Sequence, residues 1–361
     1  MPEIETKKAV VREVLGHYND VTEVLLDIEH DVKKAINYEN ITGNIKVGDQ
    51  VIVNTTACTL NLGTGGYHFV ISNVSYPSKH IDKDGHGMKM KYTPMQIKCL
   101  LTEECNNRYQ KYFNEPVDLS KGLIYIGELH SMLPPLCAGL KYYSKGRVKI
   151  AYIMTDHGAL PLSFSKSVLT LKNKNLLNTT ITTGNAFGGD YECVNIYTSI
   201  ITAFEIAKCD VVIITMGPGI LGTQTKYGFS GLELGLYVDM IAKLEGRCLY
   251  IPRIMFNDKR NRHLGISHHS ITILSEIINN PVPIILPIME TKQMKYVYRQ
   301  LMRNSLTKKH QVKFIDGKGI TNAIKYYELF TTTMGRGIYE EPVFFHTLGA
   351  SAAFGLSIVS N

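Results

Sequence analysis

Three imidazoles fall within seven positions of this chain, at His263, His268 and His269. Histidine titrates near neutrality, so each can take up or give away a proton during a reaction. The expected acid–base group is His263 or His269 working with Asp156. The same trio could ligate a metal, with Asp156, His157, Asp190 or Asp258 as remote ligands. Two points stand against that. Adjacent histidines rarely serve one ion together, and the spacing matches no standard zinc signature. His268-His269-Ser270 also reads simply as the cap of a helix. The sequence therefore leaves the metal open and assigns no cofactor.

A second kind of chemistry comes from Asp210-Val-Val-Ile-Ile-Thr-Met-Gly-Pro-Gly-Ile-Leu-Gly222. A short apolar run breaks into glycines at Gly217, Gly219 and Gly222. The spacing is literally G-x-G-x-x-G after a strand, which by itself is a weak dinucleotide signal. No helix starts at once, and the acidic residue about twenty positions on, Asp239, falls inside a predicted helix. An anion nest fits better. Glycines admit positive φ and close approach, so backbone N–H groups can converge on a negative ligand. Thr223, Thr225 and Ser230 add hydroxyls. The plainer alternative is a tight turn with glycines for steric reasons alone.

Arg253, Lys259, Arg260 and Arg262 make a dense basic segment. Arginine offers a planar fork to phosphate or carboxylate, so Arg260 and Arg262 are expected to pair with an anionic ligand. A solvated loop or an oligomer contact explains the same charge. Further candidates are His130 and His157, each just past a predicted strand, and Asp190. His86 alternates with Lys89 and Lys91 as in a two-faced strand. Asp190 also reads as a helix N-cap. Ser163, Ser165 and Ser167 follow Asp156-His157, but no G-x-S-x-G elbow is present to support a serine nucleophile.

These residues need a scaffold that brings them to one place. Residues 1–75 read as β, with runs at Ala9–Leu15, Thr22–Ile28, Val32–Asn37, Gln50–Asn54 and His68–Val74 separated by turn residues. Short strands with regular turns predict a small β-barrel-like module. Residues 76–120 read as a polar connection with Pro77, carrying a helix from Thr93 to about Phe113. From 121 to 361 strands and helices alternate, which predicts an α/β domain with a doubly wound, mostly parallel sheet. In such a sheet the candidate residues from His130 onward follow strand ends, where ligands bind, while His86 falls in the connection. A helix is expected at Tyr191–Ala207.

The 361 residues suggest two or three domains, with an apolar fraction of 44% and a charged fraction of 20%, both ordinary for a globular chain. The net charge of +7 is mild and fits either solubility or attraction to anions. Seven cysteines are scattered without a C-x-x-C pair, which fits a reducing compartment. The N-terminus lacks the apolar core of a signal peptide, and no apolar run reaches membrane-spanning length. The expectation is a cytoplasmic protein without a membrane partner.

Several strings look familiar together: Gly63-Thr-Gly-Gly-Tyr-His-Phe-Val70, Gly85-His-Gly-Met-Lys-Met-Lys-Tyr-Thr-Pro94, Glu128-Leu-His-Ser131, Met154-Thr-Asp156, Ala186-Phe-Gly-Gly-Asp190, Met216-Gly-Pro-Gly-Ile-Leu-Gly222 and Gly265-Ile-Ser-His-His269. Across most of its length the chain resembles an uncharacterised bacterial family that carries a domain-of-unknown-function label. The resemblance implies no activity.

The leading expectation is an enzyme, a hydrolase or transferase, acting on an anionic small molecule that is phosphorylated or carboxylated. The alternative is a non-catalytic sensor or scaffold using the same pocket. Nucleic-acid binding through the barrel ranks third, because Glu3, Glu5, Glu13, Asp20, Glu23, Asp27, Glu29 and Asp31 balance its positive charge. A homo-oligomer is compatible with the basic loop.

Overall fold

The computed structural model describes residues 3–359 apart from 77–80, 82–83, 105–107, 116 and 121. Pro77 and Cys105 therefore lie outside the described residues. The chain divides into two compact units, residues 1–98 and 99–361.

The first unit is a closed barrel of β1 (Thr6–Tyr18), β2 (Val21–Ile28), β3 (Asp31–Tyr38), β4 (Gln50–Asn54) and β5 (His68–Asn73), in the order β1-β2-β3-β5-β4. Alternating small and branched residues fill its interior, including Ala9, Val11, Val24, Leu26, Val51 and Val53. The long β1 bends around the barrel through irregularities at Val11/Glu13 and Val14/Gly16, where an extra residue sharpens the local twist. The β3–β5 pairing is parallel, and a short helix, α1 (Glu39–Thr42), follows β3. This connectivity is that of the oligonucleotide/oligosaccharide-binding barrel. The Gly48-Asp49 turn expected before β4 is present. Gly48 has φ +89°, and the Asp49 carboxylate accepts from Lys46 N at 3.0 Å. A second short helix, α2 (Thr56–Thr59), precedes β5, and the two-stranded pair β6 (Gly87–Lys89) and β7 (Ile97–Cys99) follows it.

The helix expected from Thr93 to about Phe113 does not form among the described residues. The segment holds β7, several turns and a short helical turn at Gln110–Phe113. Its apolar positions are too sparse to make a buried helical stripe.

The second unit is an all-parallel sheet of eight strands in the order β11-β10-β9-β12-β8-β13-β16-β17. They are β8 (Leu123–Gly127), β9 (Ile150–Thr155), β10 (Thr179–Thr183), β11 (Tyr191–Cys193), β12 (Val211–Met216), β13 (Arg247–Ile251), β16 (Pro283–Pro287) and β17 (Gln311–Ile315). A small antiparallel pair, β14 (Ile254–Met255) and β15 (Gly265–Ile266), stands apart. Central strands such as β9 and β12 are buried at every position, because helices cover both faces of a parallel sheet.

On one face α3 (Leu133–Tyr143), α4 (Lys166–Asn173), α10 (Ile320–Tyr326) and α11 (Pro342–Val359) join a core with Tyr125, Tyr152, Ile213 and Ile285. On the other face α5 (Ile196–Ile201), α6 (Leu234–Lys243), α7 (His268–Thr272), α8 (Thr291–Arg303) and α9 (Leu306–Lys309) cover Ile124, Ile153, Ile214 and Leu286. Turns of π type extend α5 to Ile206 and α7 to Ile277.

Three sequence expectations need correction. Tyr191 does not begin a helix, because Tyr191–Cys193 adds to the sheet edge as β11, parallel to β10. Asp190 therefore caps nothing. Asn195 is the N-cap of α5, in a reciprocal capping box with Thr198. Finally, among the described residues α11 is long and apolar enough to cross a membrane by length and composition alone, with mean hydropathy 1.5. It packs instead on α3 and β16, as a central core helix does when apolar on most sides.

Candidate functional site

The strand order creates one place where neighbouring connections part. The chain leaves β8 through α3 on one face toward β9, and leaves β12 through α6 on the opposite face toward β13. β8 and β12 are hydrogen-bonded neighbours, so their ends flank a crevice, the topological switch point of an open α/β sheet. A cavity of about 440 Å³ lies there, within the usual size of small-molecule sites. Glu128, His130, Ser131, Ser167 and the Gly217-Pro218-Gly219 backbone line it, with Thr331 and Thr332 from the C-terminal segment.

The glycines have distinct jobs. A Cβ on Gly217 would collide with the Ala159 carbonyl, and one on Gly158 with the carbonyl of Gly217. The loops after β9 and β12 thus touch backbone to backbone, tied by Ala159 N donating to Pro218 O at 2.8 Å. Gly219 has φ +94° and open space around it, a conformation that glycine adopts without strain.

Two titratable groups line this cavity. Glu128 is 2% exposed. It accepts from Tyr250 Oη at 2.7 Å and, through a shorter contact, from Ser270 Oγ. Burial raises its pKa against the pull of those donors and of Arg253. His130 is held at both nitrogens, Nδ1 by Tyr152 Oη at 3.0 Å and Nε2 by Ser165 Oγ at 2.6 Å. Burial pushes its pKa down to about 4, so it is neutral at pH 7. Ser165 is also the N-cap of α4.

Beyond Glu128 lies a charged network. Arg253 Nη2 donates to Asp258 at 2.9 Å, both side chains being 3% exposed. Arg260 closes a fork on the same carboxylate, with Nε at 2.9 Å and Nη2 at 2.8 Å. Arg336 approaches Asp258 at 3.7 Å and Glu341 at 3.5 Å. The hydrogen bond from Arg260, with the charges around it, holds the Asp258 carboxyl far below its ordinary range. Glu341 also accepts the backbone N–H groups of Phe256 and Asn257.

The histidines cluster beside this network. Ring centroids are 5.0 Å apart for His263 and His268, 5.3 Å for His263 and His269, and 4.1 Å for His268 and His269. Phe229 stacks on His269 at 3.9 Å, and a Cβ on Gly222 would stand 3.8 Å from the His269 ring. Burial first, then the charges of Arg253, Arg260 and neighbouring groups, push His263 and His269 down to about 3 and lower His268 as well.

The remaining candidates fall in different places. Asp156 follows β9 on the shared strand edge, but its carboxylate accepts from Asn185 N at 2.9 Å and lies 3.8 Å from His157. None of the hydrogen bonds described for it reaches His263 or His269. His157 bridges Thr155 and Glu233. Thr223 and Thr225 hydrogen-bond to each other and to Gly228, and so knit their own loop. Arg262 is exposed. Asp190 stands apart, accepting from Lys172 Nζ at 2.6 Å and from Thr180 N at 2.9 Å, near the start of β10. It lines a separate pocket with Arg108 and Tyr191. His86 belongs to the barrel unit, just before β6.

Sequence reasoning quoted Glu128 within a motif without giving it a role, read Ser270 only as part of a helix cap, and missed Ser267 and Glu341. Glu341 has no local signal, since its partners lie about eighty positions away.

Fold and cavity define an α/β protein with an N-terminal five-stranded barrel and a crevice at the carboxyl edge of its parallel sheet. The chain belongs to the family described as protein of unknown function (DUF3866), whose model matches residues 34–352. No curated protein matches it.

Proposed function

We propose that this chain is an enzyme acting on an anionic small molecule, phosphorylated or carboxylated, at the carboxyl edge of its parallel sheet. The observation that carries the reading is the switch-point cavity walled by the Gly217–Gly219 backbone, with a buried carboxyl and a neutral imidazole on its lining. Buried titratable groups with displaced pKa values in a cleft are the usual mark of acid–base chemistry. Ser167, Thr331 and Thr332 supply hydroxyls, and Gly219 supplies an open backbone. Positive potential comes from the neighbouring arginines, whose charges help to lower the pKa of all three histidines. The reaction class is hydrolysis or group transfer. The compartment we propose is the cytoplasm, which the free thiols of the six described cysteines support.

A second reading, a sensor without turnover, is favoured by one observation. Both nitrogens of His130 are already engaged by Tyr152 and Ser165.

Thermal unfolding of the full chain tests the proposal against inorganic phosphate, nucleotides, sugar phosphates and di- and tricarboxylates. A ligand at a hundred times its Kd adds about 2.7 kcal/mol, a rise of several degrees for a domain of this size. An absence of stabilisation by any of these anions would remove the anionic reading. Stabilisation by an anion that the protein leaves chemically unchanged would favour the sensor.

A further inference from the structure

The histidine cluster has a geometry that hydrogen bonding within the protein does not explain. One donor atom from each of His263, His268 and His269 can be chosen so that all lie within 4.8 Å of one another. His263 is 2% and His269 7% exposed. His268 Nε2 and His269 Nδ1 are buried, yet neither finds a hydrogen-bond partner among the described residues. An unpaired buried polar atom is costly, and two in one cluster point to a ligand that supplies the missing partner.

We propose that His263, His268 and His269 bind one divalent transition-metal ion of the zinc class. The inference is independent of the anionic-substrate reading. The local structure holds the rings ready. Ser267 caps α7 by accepting the His269 N–H at 3.3 Å and holds His263 Nδ1 at 2.8 Å. The tautomer that donates Nδ1–H to Ser267 leaves a lone pair on His263 Nε2, the outer-shell arrangement of many metal-bound histidines. Gln300 clamps the preceding backbone by accepting from Ile266 N at 2.8 Å and donating to Leu264 O and Ile266 O. Phe229 fixes the plane of His269 by stacking.

The rarity of adjacent histidine ligands does not weigh against this site, because the two rings converge at the start of α7 instead of diverging. Zn–N bonds of about 2.0–2.1 Å put tetrahedral donors roughly 3.3 Å apart, so small side-chain rotations close the cluster. Neutral imidazoles without carboxylates select Zn²⁺, Co²⁺, Ni²⁺ or Cu²⁺ over Mg²⁺ and Ca²⁺. Three protein ligands leave a coordination position open, as in catalytic metal sites. The nearby arginines oppose a bare dication, so the open position suits an anionic ligand that offsets both charges.

The test uses the full chain stripped with a chelator and titrated with Co²⁺, following visible absorption, with Zn²⁺ as competitor. The expected result is one Co²⁺ per chain, saturating in the micromolar range and displaced by Zn²⁺. H263A, H268A and H269A should each weaken binding by at least about a hundredfold. H30N, at an exposed histidine in the barrel, should leave it unchanged. Circular dichroism and thermal unfolding check each apo variant, and if one fails to fold, the wild-type stoichiometry and Zn²⁺ competition still decide. No saturable binding by the wild type, or binding that survives all three alanine substitutions, overturns the site.

Discussion

Glu128 offers the sharpest quantitative test, because its carboxylate has two readings with different energies. It stands at the end of β8 with Oε1 accepting from Tyr250 Oη at 2.7 Å and from Ser270 Oγ. Both partners are essentially inaccessible, Tyr250 being 1% and Ser270 0% exposed. Glu128→Ala leaves two buried hydroxyls without their acceptor. At about 1–3 kcal/mol for each orphaned group, the cost is roughly 2–6 kcal/mol before any cavity is counted. Glu128→Gln keeps an oxygen in the same place and should cost about 1 kcal/mol or less, because Arg253 retains Asp258 as its counter-ion at 2.9 Å.

Urea denaturation of the two variants measures this difference directly. A double-mutant cycle with Tyr250→Phe isolates the hydroxyl pair and should give a coupling above about 0.5 kcal/mol. The pH dependence supplies a second check. Burial raises the folded-state pKa of Glu128 above the ordinary 4.5, so the native state holds its proton more tightly than the unfolded chain. The associated stability is fully present below pH 4.5 and lost as pH rises through the folded pKa. Glu128→Gln should remove that slope. If Glu128→Gln destabilises as much as Glu128→Ala, the charge, not the acceptor, is what the fold uses, and the reasoning fails.

His130 gives the opposite sign. Its pKa falls from 6.5 to about 4, so the unfolded chain binds the proton first and stability drops as pH falls between those values, by about 3 kcal/mol. His130→Gln should flatten that window in chemical denaturation at a series of pH values, and an unchanged profile counts against the assignment. Asp258→Asn should cost about 3–5 kcal/mol, because Arg253 is left buried without its counter-charge. A loss under 1 kcal/mol in urea would mean that Glu128 and Glu341 suffice to neutralise the arginines.

The sheet was legible because a parallel strand buried on both faces is a short run of Val, Ile and Leu between turn residues. Val211–Met216 is such a run and is buried at every position. The barrel was legible for the complementary reason, that inward and outward residues alternate along its strands. Elements failed where tertiary context outweighed local pattern. Tyr191–Cys193 reads like a helix start and becomes an edge strand because β10 offers it a partner. α11 escaped notice because a helix buried on most sides has no polar face to mark its period. At the site, the glycines and histidines announced themselves by type and spacing. Their partners did not. Asp258 takes up the Arg260 fork that the sequence assigned to a ligand.

Glu128 also joins places that the sequence presents as unrelated. Its carboxylate lines the switch-point cavity and receives the hydroxyl of Ser270, the residue after His269 on α7. Ser270 Oγ in turn accepts the Arg253 N–H at 2.9 Å, and Arg253 leads to Asp258. A ligand that changes the protonation of Glu128 therefore changes a bond that anchors the helix carrying two of the imidazoles. On the other wall, Gly222 lies against His269 while Gly217, five residues earlier, lines the cavity. The route through Glu128 and Ser270 is buried and cannot relax without moving a packed neighbour, whereas residues 219–222 include exposed backbone. The cavity-lining Glu128 and the helix that carries His268 and His269 are thus joined by a hydrogen bond through Ser270. Occupancy of either should be felt at the other through Glu128, not through the exposed Arg262 that charge counting singles out.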